Sequence, residues 1–290
     1  MSDYQRPILK WAGNKFVLLE KLLDHIPASG NRFIEPFCGS GSVFTNVKAN
    51  CTYREYHVGD SNKDLIDLYK STAANPKDFI KKLQLLFNGD STTPSGNSRD
   101  RYMHLRDVFN GKVVDPVLVA AGIGRSELFV YLNRHCFNGL CRYNSKGQFN
   151  VPQGRYKTIK IPDQEILAFS QQSKNVHFYT DDFVTLLDTL QPKADDVVYL
   201  DPPYLPLSDT ANFTDYSNDG GFPFSKQEEL AKLAEKYHAL GAIVLVSNHN
   251  TSIAQDLYKN ATKVLEFDVP RFISGNKDRK KAPELLAIYN

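Results

Sequence analysis

Residues 32–47 read RFIEPFCGSGSVFTNV. RFIEPF is a short strand that runs into Cys38-Gly39-Ser40-Gly41-Ser42, and a helix follows through Val43 to Val47. YREYHVG (53–59) is a second strand and stops at Asp60. Strand, glycine turn, helix, strand and acid are the opening of a doubly wound α/β sheet. Glycine at 39 and 41 permits a tight turn and a close ligand approach, although a plain turn has the same look. Phe44 stands where a third phosphate-binding glycine would fall, so a pyrophosphate site and a nicotinamide oxidoreductase are disfavoured. An uncharged nucleoside needs only the close approach. Asp60 suits the two hydroxyls of a ribose, or else caps a helix starting near Lys63.

Working outward, the same pattern returns late in the chain. VHFY (176–179), VVYL (197–200) and AIVLVS (242–247) read as strands, with helices over 182–190 and 225–240. Residues 263–269 and 284–289 give two more strands, a hairpin end to the sheet. The middle differs. Residues 62–87 and 99–135 are helical in pattern, the Gly/Ser/Thr/Pro stretch 89–98 is a loop, and 137–157 is a β-hairpin turning at Asn144–Gly147. The expected domains are therefore residues 1–61 with 160–290, and an inserted helix-and-hairpin domain over 62–159.

DPPY (201–204) ends the VVYL strand. A doubly wound sheet delivers that end to its ligand crevice. Two prolines remove backbone donors and fix φ, which leaves rigid acceptors: the Asp201 carboxylate and the proline carbonyls. Acceptors without donors suit an amino group, and Tyr204 offers a face for a planar ring. The plain alternative is a proline-rich loop with a capping Asp. For an exocyclic amine, two acceptors favour the pyramidal lone pair that attacks, a transition-state effect needing no strong base.

The composition, 41% hydrophobic and 23% charged, is that of a folded globular protein. No apolar run is long enough to span a bilayer. MSDYQRPILKWAG has no apolar core followed by a cleavage site, so no signal peptide is read and a cytoplasmic location is expected. Cys38, Cys51, Cys136 and Cys141 have no metal-ligand spacing, and no metal is expected. A net charge of +2 selects no partner, but its distribution does. Arg125, Arg134, Arg142, Lys146, Arg155, Lys157 and Lys160 face one acid, Glu127, and are interleaved with Phe137, Tyr143, Phe149 and Tyr156. That is a candidate phosphate and base surface. A second basic cluster is Lys277, Arg279, Lys280 and Lys281.

These motifs resemble the Dam family of DNA adenine N6-methyltransferases. KWAGNK (10–15), EPFCGSGSVF (35–44), LNRHCFNGLCRYNSKGQFNVPQGRYK (132–157), DPPY, PLSDTANFTDY (206–216) and SNH (247–249) occur in the order of the α group. The resemblance implies a Rossmann-like methyltransferase sheet with an inserted target-recognition domain. It implies transfer of methyl from S-adenosyl-L-methionine to adenine N6 in double-stranded GATC sites, with the base flipped out of the duplex. Trp11, Lys15, Glu35, Phe37, Gly39, Gly41, Asp60 and Asp201 would serve the donor, and Asp201, Pro202 and Tyr204 the adenine. On DNA, Phe137 would wedge the stack with Asn138 filling behind it, Arg142 would read guanine, and Leu140 and Pro152 would touch thymine. Lys10 would contact a base, while Arg134, Arg155 and Lys157, beside Tyr156, would hold phosphates. A monomer is expected. Asn14 replaces a usual glycine and is expected to tolerate a positive φ; Phe137 replaces a common tyrosine; SNDGGF (217–222) is irregular. Two alternatives stand: a protein glutamine N5-methyltransferase, which typically carries Asn in place of Asp201 and lacks the insert, and a DNA-binding module whose catalysis has lapsed.

Overall fold

Runs such as VHFY and VVYL, rich in β-branched and aromatic residues, supply strands, and the strands of the described residues join one sheet. In the computed structural model, which describes residues 4–88, 99–206, 222–270 and 281–290, the strands are β1 (Ser29–Glu35), β2 (Thr52–Gly59), β3 (Val176–Tyr179), β4 (Val197–Leu200), β5 (Ile243–His249), β6 (Lys263–Pro270) and β7 (Lys281–Tyr289). Their order is β3-β2-β1-β4-β5-β7-β6. β3, β2, β1, β4 and β5 run parallel, while β7 is antiparallel to both β5 and β6. The chain order reverses between β1 and β4, so the carboxyl ends of these two strands flank the topological switch point, where open α/β sheets bind ligands. VVYL of β4 is buried at all four positions, as a central parallel strand must be.

The helices are α1 (Leu19–Leu23), α2 (Ser42–Asn50), α3 (Lys63–Ala74), α4 (Pro76–Asn88), α5 (Arg99–Phe109), α6 (Pro116–Ala120), α7 (Arg125–His135), α8 (Asp163–Gln172), α9 (Phe183–Leu190), α10 (Phe224–Ala239) and α11 (Ser252–Leu257). None is long and apolar enough to cross a membrane. The chain divides into two compact units. One holds Met1–Phe16, Gly39–Asn46 and Asn62–Lys174; the other holds Val17–Cys38, Val47–Ser61 and Asn175–Asn290.

The second unit contains the whole sheet. Ile34, Val198, Leu200, Val244, Val246 and Leu285 from the strands pack with Phe183, Leu187, Leu230, Ala234 and Tyr237 from α9 and α10. Arg32 and Asp196 tie the starts of β1 and β4, with Arg32 Nε 3.0 Å from Asp196 Oδ1.

The first unit is helical. α7 is buried along almost its whole length, from Ser126 to Asn133. Asn62 caps α3 and Asp115 caps α6, each side chain accepting from a first-turn N–H. α8 sets Phe169 against Tyr69 at 4.6 Å and Phe44 at 5.5 Å. The hairpin expected over 137–157 departs from regular strands. It turns at Asn144–Gly147, where Asn144 N–H donates to the Gln148 carbonyl. Its arms meet only in isolated bridges, Cys136 with Gln153 and Tyr143 with Phe149. Side chains do the remaining work: Asn110 bonds both the N–H and the carbonyl of Phe149, and Tyr102 donates to the Val151 carbonyl. The expected loop 89–98, most of 206–216 and 217–222, and Lys277, Arg279 and Lys280 lie outside the described residues.

Candidate active site

β4 ends at Leu200 and hands the chain directly to Asp201, Pro202, Pro203 and Tyr204. The Pro203 carbonyl accepts a 2.7 Å hydrogen bond from Gln227 Nε2 of α10. This engages one lone pair of the Pro203 carbonyl. Tyr204 is held at its rim: its hydroxyl donates to Glu284 Oε2 of β7 at 3.0 Å, and the His249 ring meets it edge-on at 4.8 Å. Burial, and then the charges of Asp201 and Glu284, push the Tyr204 hydroxyl well above its ordinary pKa, so it remains a neutral donor. His249 Nδ1–H donates to the Leu205 carbonyl at 2.5 Å.

On the neighbouring strand, Glu35 ends β1 and is buried. Phe37 packs on Phe183 at 5.2 Å and Phe222 at 5.8 Å. Cys38 N–H donates to the Gly59 carbonyl at 2.9 Å, closing the end of β1 on the end of β2. Burial, with the charges of Asp60 and Glu35 behind it, pushes the Cys38 thiol well up, so it is no nucleophile. Asp60 does not cap α3; Asn62 does.

In the helical unit, Gly39 and Gly41 take φ of 45° and 76°. A side chain at Gly39 would begin 3.0 Å from Trp11 Nε1, and Tyr69 donates to the Gly39 carbonyl at 2.5 Å. Lys15 is buried with Nζ 2.8 Å from the Gly13 carbonyl. Asn14 does not take the left-handed φ expected of it; Gly13 does, at 75°. Asn14 instead accepts from Phe16 N–H at 2.9 Å and Ser42 Oγ at 2.5 Å.

The DNA-reading candidates gather in that unit too. Phe137 is 50% exposed, a rare position for such a ring, and its N–H donates to the Pro152 carbonyl at 2.8 Å. Asn138, at φ 54°, and Arg142 are exposed, and Leu140 is half-buried. Asn150 Oδ1 accepts from Arg142 Nε at 2.8 Å. Lys10 Nζ lies 3.8 Å over the Tyr156 ring, whose hydroxyl donates to the Cys136 carbonyl at 3.0 Å. Arg155 and Lys157 are exposed. Arg134, expected at a phosphate, is partly buried, and its Nη2 donates to the Ile8 carbonyl.

One group among the described residues has metal-ligating atoms close together, Glu55, His57 and His177. The two imidazoles are stacked 16° from parallel, so their in-plane lone pairs do not converge. His57 is instead engaged at both nitrogens, by Tyr179 at 2.8 Å and Glu55 at 2.9 Å. Nothing in the local sequence marks Gln227 and Glu284 as site residues, because only the fold brings them to 203 and 204.

The D12 class of N6 adenine-specific DNA methyltransferases matches residues 11–271. The chain belongs to this family. A DNA adenine methylase of Serratia marcescens is 41% identical over 287 residues, covering 98% of each chain. That of Escherichia coli K12 is 40% identical over 98% of this chain and 95% of its own. That of Vibrio cholerae O395 is 39% identical over 98% and 96%. The D12 methyltransferase is thus an adenine-specific DNA methyltransferase of the Dam family, as the ordered motifs implied. The protein-glutamine alternative falls, and so does the lapsed module.

Proposed function

We propose that this D12 methyltransferase transfers methyl from S-adenosyl-L-methionine to the N6 amine of adenine in double-stranded GATC, with the adenine flipped out of the helix. One observation carries the reading: Asp201 leaves β4 at the switch point beside Glu35 of β1, with Tyr204 clamped next to it. The donor set fits a nucleoside cation. Asp60, just past the end of β2, suits ribose hydroxyls, and Glu35 is a buried carboxylate. Gly39 and Gly41 take the left-handed backbone that turns the chain sharply at the end of β1. Trp11, Lys15, Phe37 and Asp201 complete the proposed donor residues. When bound, the donor supplies an electrophilic methyl on sulfonium sulfur.

Asp201 and the Pro202 carbonyl accept the two N6–H bonds, which localises the amine lone pair for attack. Tyr204 stacks on the base and, being neutral, adds no charge beside the reacting amine. Rigid geometry supplies the in-line approach. By role, residues 62–159 serve target recognition and 1–61 with 160–290 catalysis, although the compact helical unit also takes in 1–16, 39–46 and 160–174. Arg142 reads guanine; Phe137 and Asn138 fill the stack; Leu140 and Pro152 touch thymine; Lys10 contacts a base beside Tyr156; Arg155 and Lys157 hold phosphates. The enzyme acts as a cytoplasmic monomer.

Asp201→Ala is expected to abolish methyl transfer to a duplex oligonucleotide while leaving DNA binding largely intact; unchanged turnover removes the catalytic assignment. Expression in an unmethylated host, followed by digestion with nucleases that distinguish methylated from bare GATC, tests the site. Cleavage typical of bare GATC would overturn it.

A further inference from the structure

We infer that Gln227 and Asn248 are a positioning pair for methyl transfer, fixing the backbone on both sides of Tyr204. The inference rests on the reading of residues 201–204 as the reacting site.

Gln227 lies in the first turn of α10 and is 1% exposed; Asn248, near the end of β5, is fully buried. Buried amides are costly unless both their donors and acceptors are paired. Here the bonds lead to the acid-proline-proline-tyrosine segment. Gln227 Nε2 donates to the Pro203 carbonyl at 2.7 Å. Asn248 Nδ2 donates to Gln227 Oε1 at 3.1 Å and to the Tyr258 hydroxyl at 3.3 Å. Asn248 Oδ1 accepts from Leu205 N–H at 3.1 Å and His249 N–H at 2.9 Å. Apolar side chains of the same volume would fill the space without desolvating an amide, so packing alone does not call for this pair.

The prolines explain the need. Pro202 and Pro203 have no N–H, so neither can anchor this stretch by a backbone donor. The pair takes the carbonyl just before Tyr204 and the N–H just after it. Tyr204 is thereby fixed at both flanks, and its hydroxyl at Glu284 is a third point. The same bond directs the Pro203 carbonyl toward α10. A side chain that cannot donate to Pro203 would let that peptide rotate and misplace Tyr204 against the base.

The test is single-turnover methyl transfer to a duplex oligonucleotide that the wild-type enzyme methylates, with saturating S-adenosylmethionine. Gln227→Met keeps the length and loses the amide. Its rate is expected to fall by about 10- to 100-fold, the scale of a misplacement near 1 Å, with KM for DNA nearly unchanged. Gln227→Glu gives a readout that a merely structural role does not move. Burial raises the pKa of the introduced carboxyl; once protonated, it can again donate to Pro203. Its rate relative to wild type should therefore climb as pH falls. A wild-type rate for Gln227→Met, or a Gln227→Glu pH profile parallel to wild type, overturns the inference. If Asp201→Ala abolishes transfer in the same assay while Gln227→Met does not slow it, only the positioning role fails. If Asp201→Ala turns over normally, the reading of the site fails.

Discussion

Arg142 shows what one residue contributes at a reading surface. It is exposed, and Asn150 orients its guanidinium, accepting from Nε at 2.8 Å and from Nη2 at 3.5 Å. Arg142→Ala is expected to cost about 1–3 kcal/mol at its cognate guanine and to relax selection there. Competition binding with single-base variants of the duplex measures this, and a uniform loss across all sequences would make Arg142 a phosphate contact instead. Tyr204 and Arg134 show what a residue's identity leaves open. The sequence supplied Tyr204 as a flat ring, yet its hydroxyl is engaged as well, because β7 brings Glu284 within 3.0 Å. Arg134 belongs to a basic cluster by composition, yet it is partly buried and one of its N–H groups goes to the Ile8 carbonyl. Charge is legible in a sequence; what a charged group faces is not.

At the scale of elements, two joints carry sharp expectations. The turn at Phe137–Gly139 puts Gly139 at φ 66°, and a side chain there would begin 2.2 Å from Lys10 Cβ. Gly139→Ala is expected to cost about 1–2 kcal/mol for the left-handed backbone alone, with more for the overlap. It should lower both the melting temperature and duplex affinity; wild-type values for both would mean the turn relaxes freely. At the other joint, Asp196 is fully buried and Arg32 nearly so. Burial works to raise the Asp196 pKa, but Arg32, Lys193 N–H and Asn31 outweigh it and hold the carboxyl below its ordinary value. Arg32→Met strands that charge and is expected to destabilise the fold by about 3–5 kcal/mol, seen as a lower urea midpoint. Strands and long helices were legible because period and length are local. The hairpin was legible as a turn only: its arms are held by Asn110 and Tyr102, which no local pattern links to Phe149 and Val151.

For the whole molecule, acid is the sensitive variable. His135 is buried, and Nδ1–H donates to the Tyr131 carbonyl at 2.8 Å. Burial pushes its pKa down to about 4; the Tyr131 bond opposes this, and Lys10 and Arg101 reinforce it. The unfolded chain then binds a proton that the folded chain refuses between roughly pH 6.5 and 4. Stability is fully present above the upper value and falls through that window, by up to roughly 3 kcal/mol from this group. His57, also lowered by burial, acts in the same direction. Unfolding free energies at pH 7.5 and 5 check the sign, and His135→Gln should flatten part of the slope. The strand pattern, the glycine turn, the acid after each of two strands and the order of motifs were all fixed locally, since periodicity, turn chemistry and residue order survive in a linear string. The switch point beside Asp201, the capping of α3 by Asn62 instead of Asp60, and the bonds from Gln227, Asn248 and Glu284 to residues 203–205 came from folding alone. Those partners lie 24 to 80 positions away along the chain, and burial makes each polar group find whichever partner the packed sheet places within reach.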